Sequence, residues 1–536
     1  MKIVYAILTF SMFAVNASTV VAQLEKQILA TDQPVAMTQA ELNELGDPLF
    51  KLFLKDRSNE TDLKSLEDAV QPDVDKRKLF VVDERIVDPS RPQSRRAVIS
   101  FEGSNQGTVL KGNVMLSVSF TDTKFRDDAF IEGWGWDEAR GRYNYYRMDG
   151  GKWKFRGSSK DTAQFGKANT CFACHLNGAP IMKELLIPWN HWHSRDLPVR
   201  YFDTLQPNNK RWPIVDDARF KQLSGARFLD SSIRESIANF NSRRIVDAVQ
   251  GDRLKDAQGI LKHLFKSTEF NIISASQESN MHPLSPDAQS KPAISVAIPN
   301  SFFLNSGIIG GGGFSGFTGL AIGNATGFQA SALRVKPDEY KKLVDDAALK
   351  INGQPGDAHF AWLVPETSDI DNQMVEKLMS ELIVPAHFVA AALAVDLKTP
   401  VLSKDRAGLL KFIPTEFEVD KTAAAGDRLN VSWFEGHDLT KKVVSNLEAV
   451  DLTGNVAAQD FLSILKMENG RTPKDELEKR VDVYLKEITD KLTGPNRELE
   501  LKLLFDIAIK RRKDVLDDPR LGVLDETGGK LLFPGK

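Results

Sequence analysis

Gly133-Trp134-Gly135-Trp136-Asp137, the turn Ala139-Arg140-Gly141-Arg142, and Tyr143-Asn144-Tyr145-Tyr146-Arg147-Met148 decide how this chain folds. Two aromatic-rich runs joined by a short, glycine-containing turn signal a β-hairpin. Such a hairpin would deliver its aromatics to one place. Toward the amino terminus the same texture continues in Leu79-Phe80-Val81-Val82, Ala97-Val98-Ile99-Ser100-Phe101 and Val114-Met115-Leu116-Ser117-Val118-Ser119-Phe120. These short runs are rich in β-branched and apolar residues, as strands are. In the last, Val114, Leu116, Val118 and Phe120 alternate with Met115, Ser117 and Ser119, which predicts one buried sheet face. Residues 24–75 are polar, and a helix is predicted over 38–54 behind the capping-like Thr38-Gln39-Ala40-Glu41.

Toward the carboxyl terminus, aromatics continue through Trp153, Phe155, Phe165, Phe172, Trp189 and Trp192, and six of the eight tryptophans fall between Trp134 and Trp212. Inside this stretch lies Cys171-Phe172-Ala173-Cys174-His175, which holds both cysteines of the 536-residue chain. C-x-x-C-H is the spacing of covalent c-type haem attachment. Two thiols on one turn can each form a thioether to a vinyl group of one porphyrin, and the following imidazole then meets the iron. A thioredoxin-like pair would want an alternating βα pattern around it, and none surrounds Cys171. A structural zinc site would want four ligands, but there is no second cysteine pair. A disulfide across two intervening residues would close almost no loop and stabilise little. The expectation is therefore one covalently attached haem c, held by Cys171 and Cys174, with His175 as proximal iron ligand. The clustered aromatics would then wall the haem pocket. Candidates for the opposite face of the iron are Met182, which Pro180 separates from a continuous helix, and His191 and His193 in Trp189-Asn190-His191-Trp192-His193.

The amino terminus agrees with attachment outside the cytoplasm. Lys2, the apolar run Ile3 to Val15 and the small residues Val20-Val21-Ala22 before Gln23 read as a secretory signal peptide. The predicted location is periplasmic or secreted. Export normally favours structural disulfides, and a chain with no further cysteine fits both thiols being consumed by haem. With Lys+Arg 70 against Asp+Glu 73 and a net charge of −3, nothing points to nucleic acid or an anionic membrane surface. From Pro292 to Leu333 there is no charged residue or histidine, and nine of the 21 residues from Gly307 to Gly327 are glycine. Gly, Ser, Asn and Thr dilute this stretch below a spanning helix. It reads as a loop-rich segment packed between domains, so no stable membrane span is expected.

Beyond Trp212 helices dominate, with candidates at 231–249, 252–265, 337–350, 372–395, 403–412, 438–450 and 457–467. Thr472-Pro473-Lys474-Asp475 supplies an N-cap, a proline at the first helical position and an acidic first turn. That helix runs through Leu477, Val481, Tyr484, Leu485 and Ile488 and stops at Gly494-Pro495. Its partner carries Leu499, Leu503 and Ile507, with basic residues Lys510 to Lys513 near its end. Met115 and Met148 read as core residues, and histidines 263, 282, 359, 387 and 437 are dispersed and take no assigned role.

The C-x-x-C-H motif resembles c-type cytochromes generally. The stretch from about Ala97 to His175 also resembles the sheet-rich cytochrome c-prime-beta group, through the strand Val114–Phe120, Gly133-Trp134-Gly135-Trp136, and one C-x-x-C-H near the end. The resemblance implies haem attachment at Cys171 and Cys174, His175 as proximal ligand, and an iron often five-coordinate and open to small molecules. No residue here matches the haem-cross-linking lysine of that group's enzymatic members. The expected fold class is α+β: a β-rich monohaem cytochrome c domain followed by a larger, mainly α-helical region. The expected organisation is a signal peptide at 1–22, a polar, helical segment at 23–77, the haem domain at 78–212, a helical and Gly-rich segment at 213–336, and a helical domain at 337–536. Electron transfer to a redox partner protein is the first functional expectation. A haem-dependent oxidoreductase with an open distal site is the alternative, and a haem sensor or subunit of a periplasmic complex is a third.

Overall fold

The computed structural model describes residues 24–28, 33–59, 63–70, 76–83, 95–102, 112–119, 131–149, 151–160, 179–180, 223–225, 230–267, 270–273, 295–298, 300–309, 316, 318, 330–348, 350–351, 354–355, 364–401, 403–468 and 470–517. Among these the chain is a mixed α+β protein built on one large sheet.

The sheet has nine strands: β1 (Glu25–Ile28), β2 (Gln33–Ala36), β3 (Lys76–Asp83), β4 (Arg95–Glu102), β5 (Val114–Ser119), β6 (Ile131–Asp137), β7 (Arg142–Asp149), β8 (Lys152–Ser158) and β9 (Leu223–Gly225). Their order is β2-β1-β8-β7-β6-β5-β4-β3-β9. Strands β3 to β8 form an antiparallel meander, while β1 pairs parallel with β8 and β9 parallel with β3. Both sides of the meander are thus extended by segments outside it, so neither β3 nor β8 is an edge strand. The predicted hairpin is β6–β7, with Trp134 opposite Tyr145 and Gly133 opposite Tyr146. Its turn ends on Gly141 at φ +58°, a left-handed conformation that glycine adopts without penalty.

Both faces of the sheet are buried, where the alternation in β5 had predicted one. Val114 and Leu116 join Ile99, Phe101, Ile131, Tyr146, Met148 and Trp153 in a core with Leu49, Phe50, Phe53 and Leu54. Met115 faces the other way, into a second core with Val98, Trp134, Trp136, Tyr143 and Tyr145. Successive strand residues point to opposite faces, so a strand flanked on both sides buries both sets. Met115 and Met148 are core residues as expected, though on opposite sides of the sheet.

The first core is closed by the amino-terminal segment. Thr38 caps α1 (Gln39–Asn43) with the full reciprocal arrangement, its hydroxyl accepting from Glu41 N while Glu41 bonds the Thr38 N–H. Phe50–Leu54 then winds as a π-helix, and α2 (Leu63–Val70) follows. Here the glycines of the Gly-Trp-Gly-Trp run matter. A Cβ on Gly135 would lie 2.3 Å from Asp47 Oδ1, and one on Gly133 would lie 2.6 Å from Leu116 and 3.1 Å from Leu49. The tryptophans project from one face, and the missing side chains let the amino-terminal segment approach the other.

The second core is closed by α3 (Asp230–Ala248) through Ile233, Ile237 and Phe240. Beyond α3 lie α4 (Ala257–Phe265), α5 (Pro337–Asp346), α6 (Asp369–Ser380), α7 (Ala386–Ala394), α8 (Asp438–Glu448), α9 (Val456–Leu465), α10 (Pro473–Thr493) and α11 (Arg497–Asp517). They share a third core centred on α7, every residue of which is buried. Its sequence Ala-His-Phe-Val-Ala-Ala-Ala-Leu-Ala is apolar nearly all round, as a helix surrounded by others requires. Arg480 of α10 donates to the Ala394 carbonyl at the end of α7 and makes a two-pronged contact with Asp460 at 2.7 and 2.7 Å.

The single helix predicted over 372–395 is two, because the chain turns through Leu382 at φ +58° and restarts at Pro385. The candidate at 252–265 begins only at Ala257, since 249–254 form a small hairpin that pairs with Phe417–Glu418. In α10 the N-cap, first-turn proline and stop before Gly494 are as predicted. In α11 the row Leu499, Leu503, Ile507 is not the packed face; Leu501, Phe505 and Ala508 are buried instead. Within the uncharged stretch, Phe302, Phe303, Ile308, Ile309 and Leu333 are buried in the third core, and Gly311 to Ser315 lie outside the described residues. Among the described residues, no helix is long and apolar enough to cross a membrane.

Gly135→Ala places a methyl group against the buried Asp47 carboxylate and is expected to cost about 2–3 kcal/mol of stability. A urea unfolding curve with unchanged midpoint would show that the segment carrying Asp47 yields freely.

Candidate functional site

Cys171, Cys174 and His175, and the candidates Met182, His191 and His193, all lie outside the described residues, as do Phe165, Phe172, Trp189, Trp192 and Trp212. The described residue nearest the motif in sequence is Ala179, four positions after His175. Ala179 is fully buried, and its carbonyl accepts a 2.8 Å hydrogen bond from the Tyr145 hydroxyl. It belongs to the second core, on the aromatic face of β6 and β7.

That face is built by register. Trp134 stands opposite Tyr145, and Trp136 opposite Tyr143. The Trp134 and Tyr143 rings meet edge to face at 4.8 Å between centroids, and Trp136 lies 4.7 Å from Tyr143. The Tyr143 hydroxyl reaches the carbonyls of Gly112 at 3.2 Å and Ser236 at 3.0 Å, tying the strand to α3. Burial pushes the Tyr143 hydroxyl well above its ordinary pKa, so it remains a neutral donor. Trp136 Nε1 donates to Glu138 at 2.5 Å.

Among the described residues, the aromatics do not converge on one place. Trp153 and Tyr146 are in the first core, with Phe155 packed against it, so the sheet separates them from Trp134, Trp136, Tyr143 and Tyr145. Of the aromatics expected to wall one pocket, the described ones divide between two cores because the strands alternate. Beside Tyr145 the pairing of β7 with β8 slips by one residue: Tyr145 pairs with Gly157 and Tyr146 with Phe155, leaving Arg156 as the extra residue of a bulge. Arg156 is 3 % exposed.

Of the histidines that received no role, His263, His387 and His437 are packed into the helical part, and His282 and His359 lie outside the described residues. His263 Nδ1 lies 2.5 Å from Asp371 Oδ1, and Arg244 Nη1 lies 2.8 Å from His263 Nε2. Since an arginine only donates, Nε2 must accept, so His263 is neutral and gives its Nδ1 proton to Asp371. This chain joins α3, α4 and α6. Burial, with Arg244 adding to it, pushes His263 down to about 4. His437 is likewise lowered to about 4 by burial, packed against Phe417 and Trp433, and His387 bonds the Leu429 carbonyl. No pattern in sequence marks the His263 chain, whose members lie 19 and 108 positions apart. Among the described residues, no group of three or more His, Cys, Asp or Glu is arranged to hold a metal ion. Two open grooves, of about 560 Å³ between α10 and the turn after α7 and about 440 Å³ between α3 and α6, share no lining residue with the aromatic face.

No protein-family model, curated protein or solved structure matches the chain.

Two expectations follow from these contacts. Tyr145→Phe removes the donor to a buried carbonyl and should cost roughly 1–2 kcal/mol in chemical denaturation; an unchanged midpoint would mean that the Ala179 carbonyl is satisfied without it. His263 is lowered in the folded chain relative to 6.5, so between pH 6.5 and about 4 the unfolded state binds the extra proton. Its contribution is complete above pH 6.5 and is lost as pH falls toward 4. The stability difference between the wild type and His263→Gln should therefore shrink by on the order of 3 kcal/mol over that window. A difference that stays constant across the window would contradict the neutral, buried assignment.

Proposed function

We propose that the protein is an exported monohaem c-type cytochrome that carries electrons. Haem c would be held through Cys171 and Cys174, and His175 would supply an imidazole to the iron. The observation that carries this reading is Cys171-Phe172-Ala173-Cys174-His175 itself, which holds the only two cysteines of the chain in the spacing that haem attachment needs. The donor set suits the group: two thiols for the porphyrin edge and one imidazole for iron. When bound, the haem iron supplies one-electron redox chemistry.

The contact at Ala179 supports the reading by restraining the chain just beyond the motif. Ala179 lies four positions after His175, a reach of at most about 14 Å even when fully extended. Tyr145 holds the Ala179 carbonyl, and Trp134, Trp136 and Tyr143 pack the same core. A histidine that would ligate the iron benefits from such restraint, which limits how far the ligand can move. In this reading Tyr145 positions the motif through Ala179. The secretory amino terminus agrees with a periplasmic or secreted carrier that docks on a redox partner protein.

Expression with a c-type haem maturation system should yield a protein that stains for haem on a denaturing gel, and Cys171→Ala with Cys174→Ala should lose the stain. Haem stain that survives the double change would overturn attachment at this motif. Sharp low-spin bands, unchanged by carbon monoxide, are expected for the electron carrier. A high-spin spectrum that shifts with carbon monoxide would instead favour the oxidoreductase with an open distal face.

A further inference from the structure

Helix α11 buries Leu501, Phe505 and Ala508 against α10 and its neighbours, yet it also carries an exposed apolar row. Leu499, Leu503 and Ile507 are 56, 48 and 38 % exposed, at i, i+4 and i+8. Such a row is the ridge by which one helix packs against another. One position before each row member runs a charged row, Glu498, Lys502 and Asp506, continued by Lys510, all exposed.

The order of those charges names the occupant. Read backwards, Glu-Lys-Asp-Lys becomes Lys-Asp-Lys-Glu. Two copies of α11 laid antiparallel about a two-fold axis near residues 503 and 504 therefore set Glu498 opposite Lys510 and Lys502 opposite Asp506, and symmetry repeats both pairs. The same axis sets Leu503 against its own copy and Leu499 against Ile507. A two-fold interface must be complementary to itself in this way, and here the apolar and charged rows satisfy the condition about centres one residue apart.

We propose that α11 is the contact surface of a weak homodimer, two copies packing antiparallel through Leu499, Leu503 and Ile507 and flanked by Glu498–Lys510 and Lys502–Asp506 pairs. Within one copy Glu498 pairs with Lys342, and Lys502 with Asp506 at 2.9 Å. These are exposed pairs, worth little and easily exchanged. A standard interface buries about 800 Å² on each partner, and three half-exposed side chains fall short of that. The dimer is therefore concentration-dependent.

Sedimentation equilibrium of the full chain from micromolar to millimolar concentration tests this. A monomer–dimer equilibrium is expected, and Leu503→Glu should abolish it. Lys510→Glu turns two symmetric attractions into repulsions and should raise the dissociation constant about tenfold at low salt. Adding Glu498→Lys to Lys510→Glu restores opposite charges and should recover most of the affinity. All of these positions are exposed, so thermal melting confirms that each variant folds. A chain that stays monomeric throughout, a dimer indifferent to Leu503→Glu, or a charge swap that fails to rescue Lys510→Glu would each overturn the proposal.

Discussion

The fully buried carboxylate of Asp47 holds the sheet to its amino-terminal cover. It accepts the Tyr146 hydroxyl at 2.5 Å, Asn144 Nδ2 at 2.8 Å and the Phe50 N–H at 3.0 Å. Burial raises its pKa, and these three donors oppose that rise. Removing one partner of such a cluster costs more than the net worth of the bond, because the remaining group stays desolvated. The carboxylate sits where Gly135 has no side chain, so the contact depends on the glycines of the hairpin. With this side occupied by the amino-terminal segment, the tryptophan side of the hairpin is left for α3 and Ala179.

That division shapes everything downstream. Tyr143 bonds to α3, and Tyr145 to the chain that leads back to the C-x-x-C-H motif. In turn α3 packs on α6, and the buried Arg244–His263–Asp371 chain ties α3 to α4 and α6. Ala179, four positions after the motif in sequence, is thus held on a sheet face whose opposite side is committed to another core. The helical part is organised around α7, an apolar helix that has no face to spare for solvent.

Much of this was legible beforehand where the signal is local. The Thr38 and Thr472 caps, the hairpin turn at Gly141, the proline-started α10 and its stop before Gly494 depend on residues within a turn of one another. The failures are as instructive. The row Leu499, Leu503, Ile507 has helical spacing, but so does the buried set Leu501, Phe505, Ala508, and periodicity cannot choose between two apolar rows on one helix. Asn372 to Val395 looks like one helix because Leu382, an ordinary helix former, sits in a left-handed turn imposed by packing. The alternation in β5 implied a single buried face because nothing local says that α3, more than a hundred residues later, will cover the other.

The sequence by itself determined the candidate chemistry, because haem attachment needs only two thiols and an imidazole at fixed spacing. It also determined strands β3 to β7 and the helix ends at Thr38, Thr472 and Gly494, whose causes lie within a few residues. The tertiary structure alone decided which aromatics share a face, since neighbouring strand residues always part to opposite sides and only packing shows what covers each. It alone decided that Tyr145 grips Ala179, that His263 is a neutral link between helices, and which row of α11 remains open. Each of these joins or separates residues distant in the chain, and no local pattern encodes such distances.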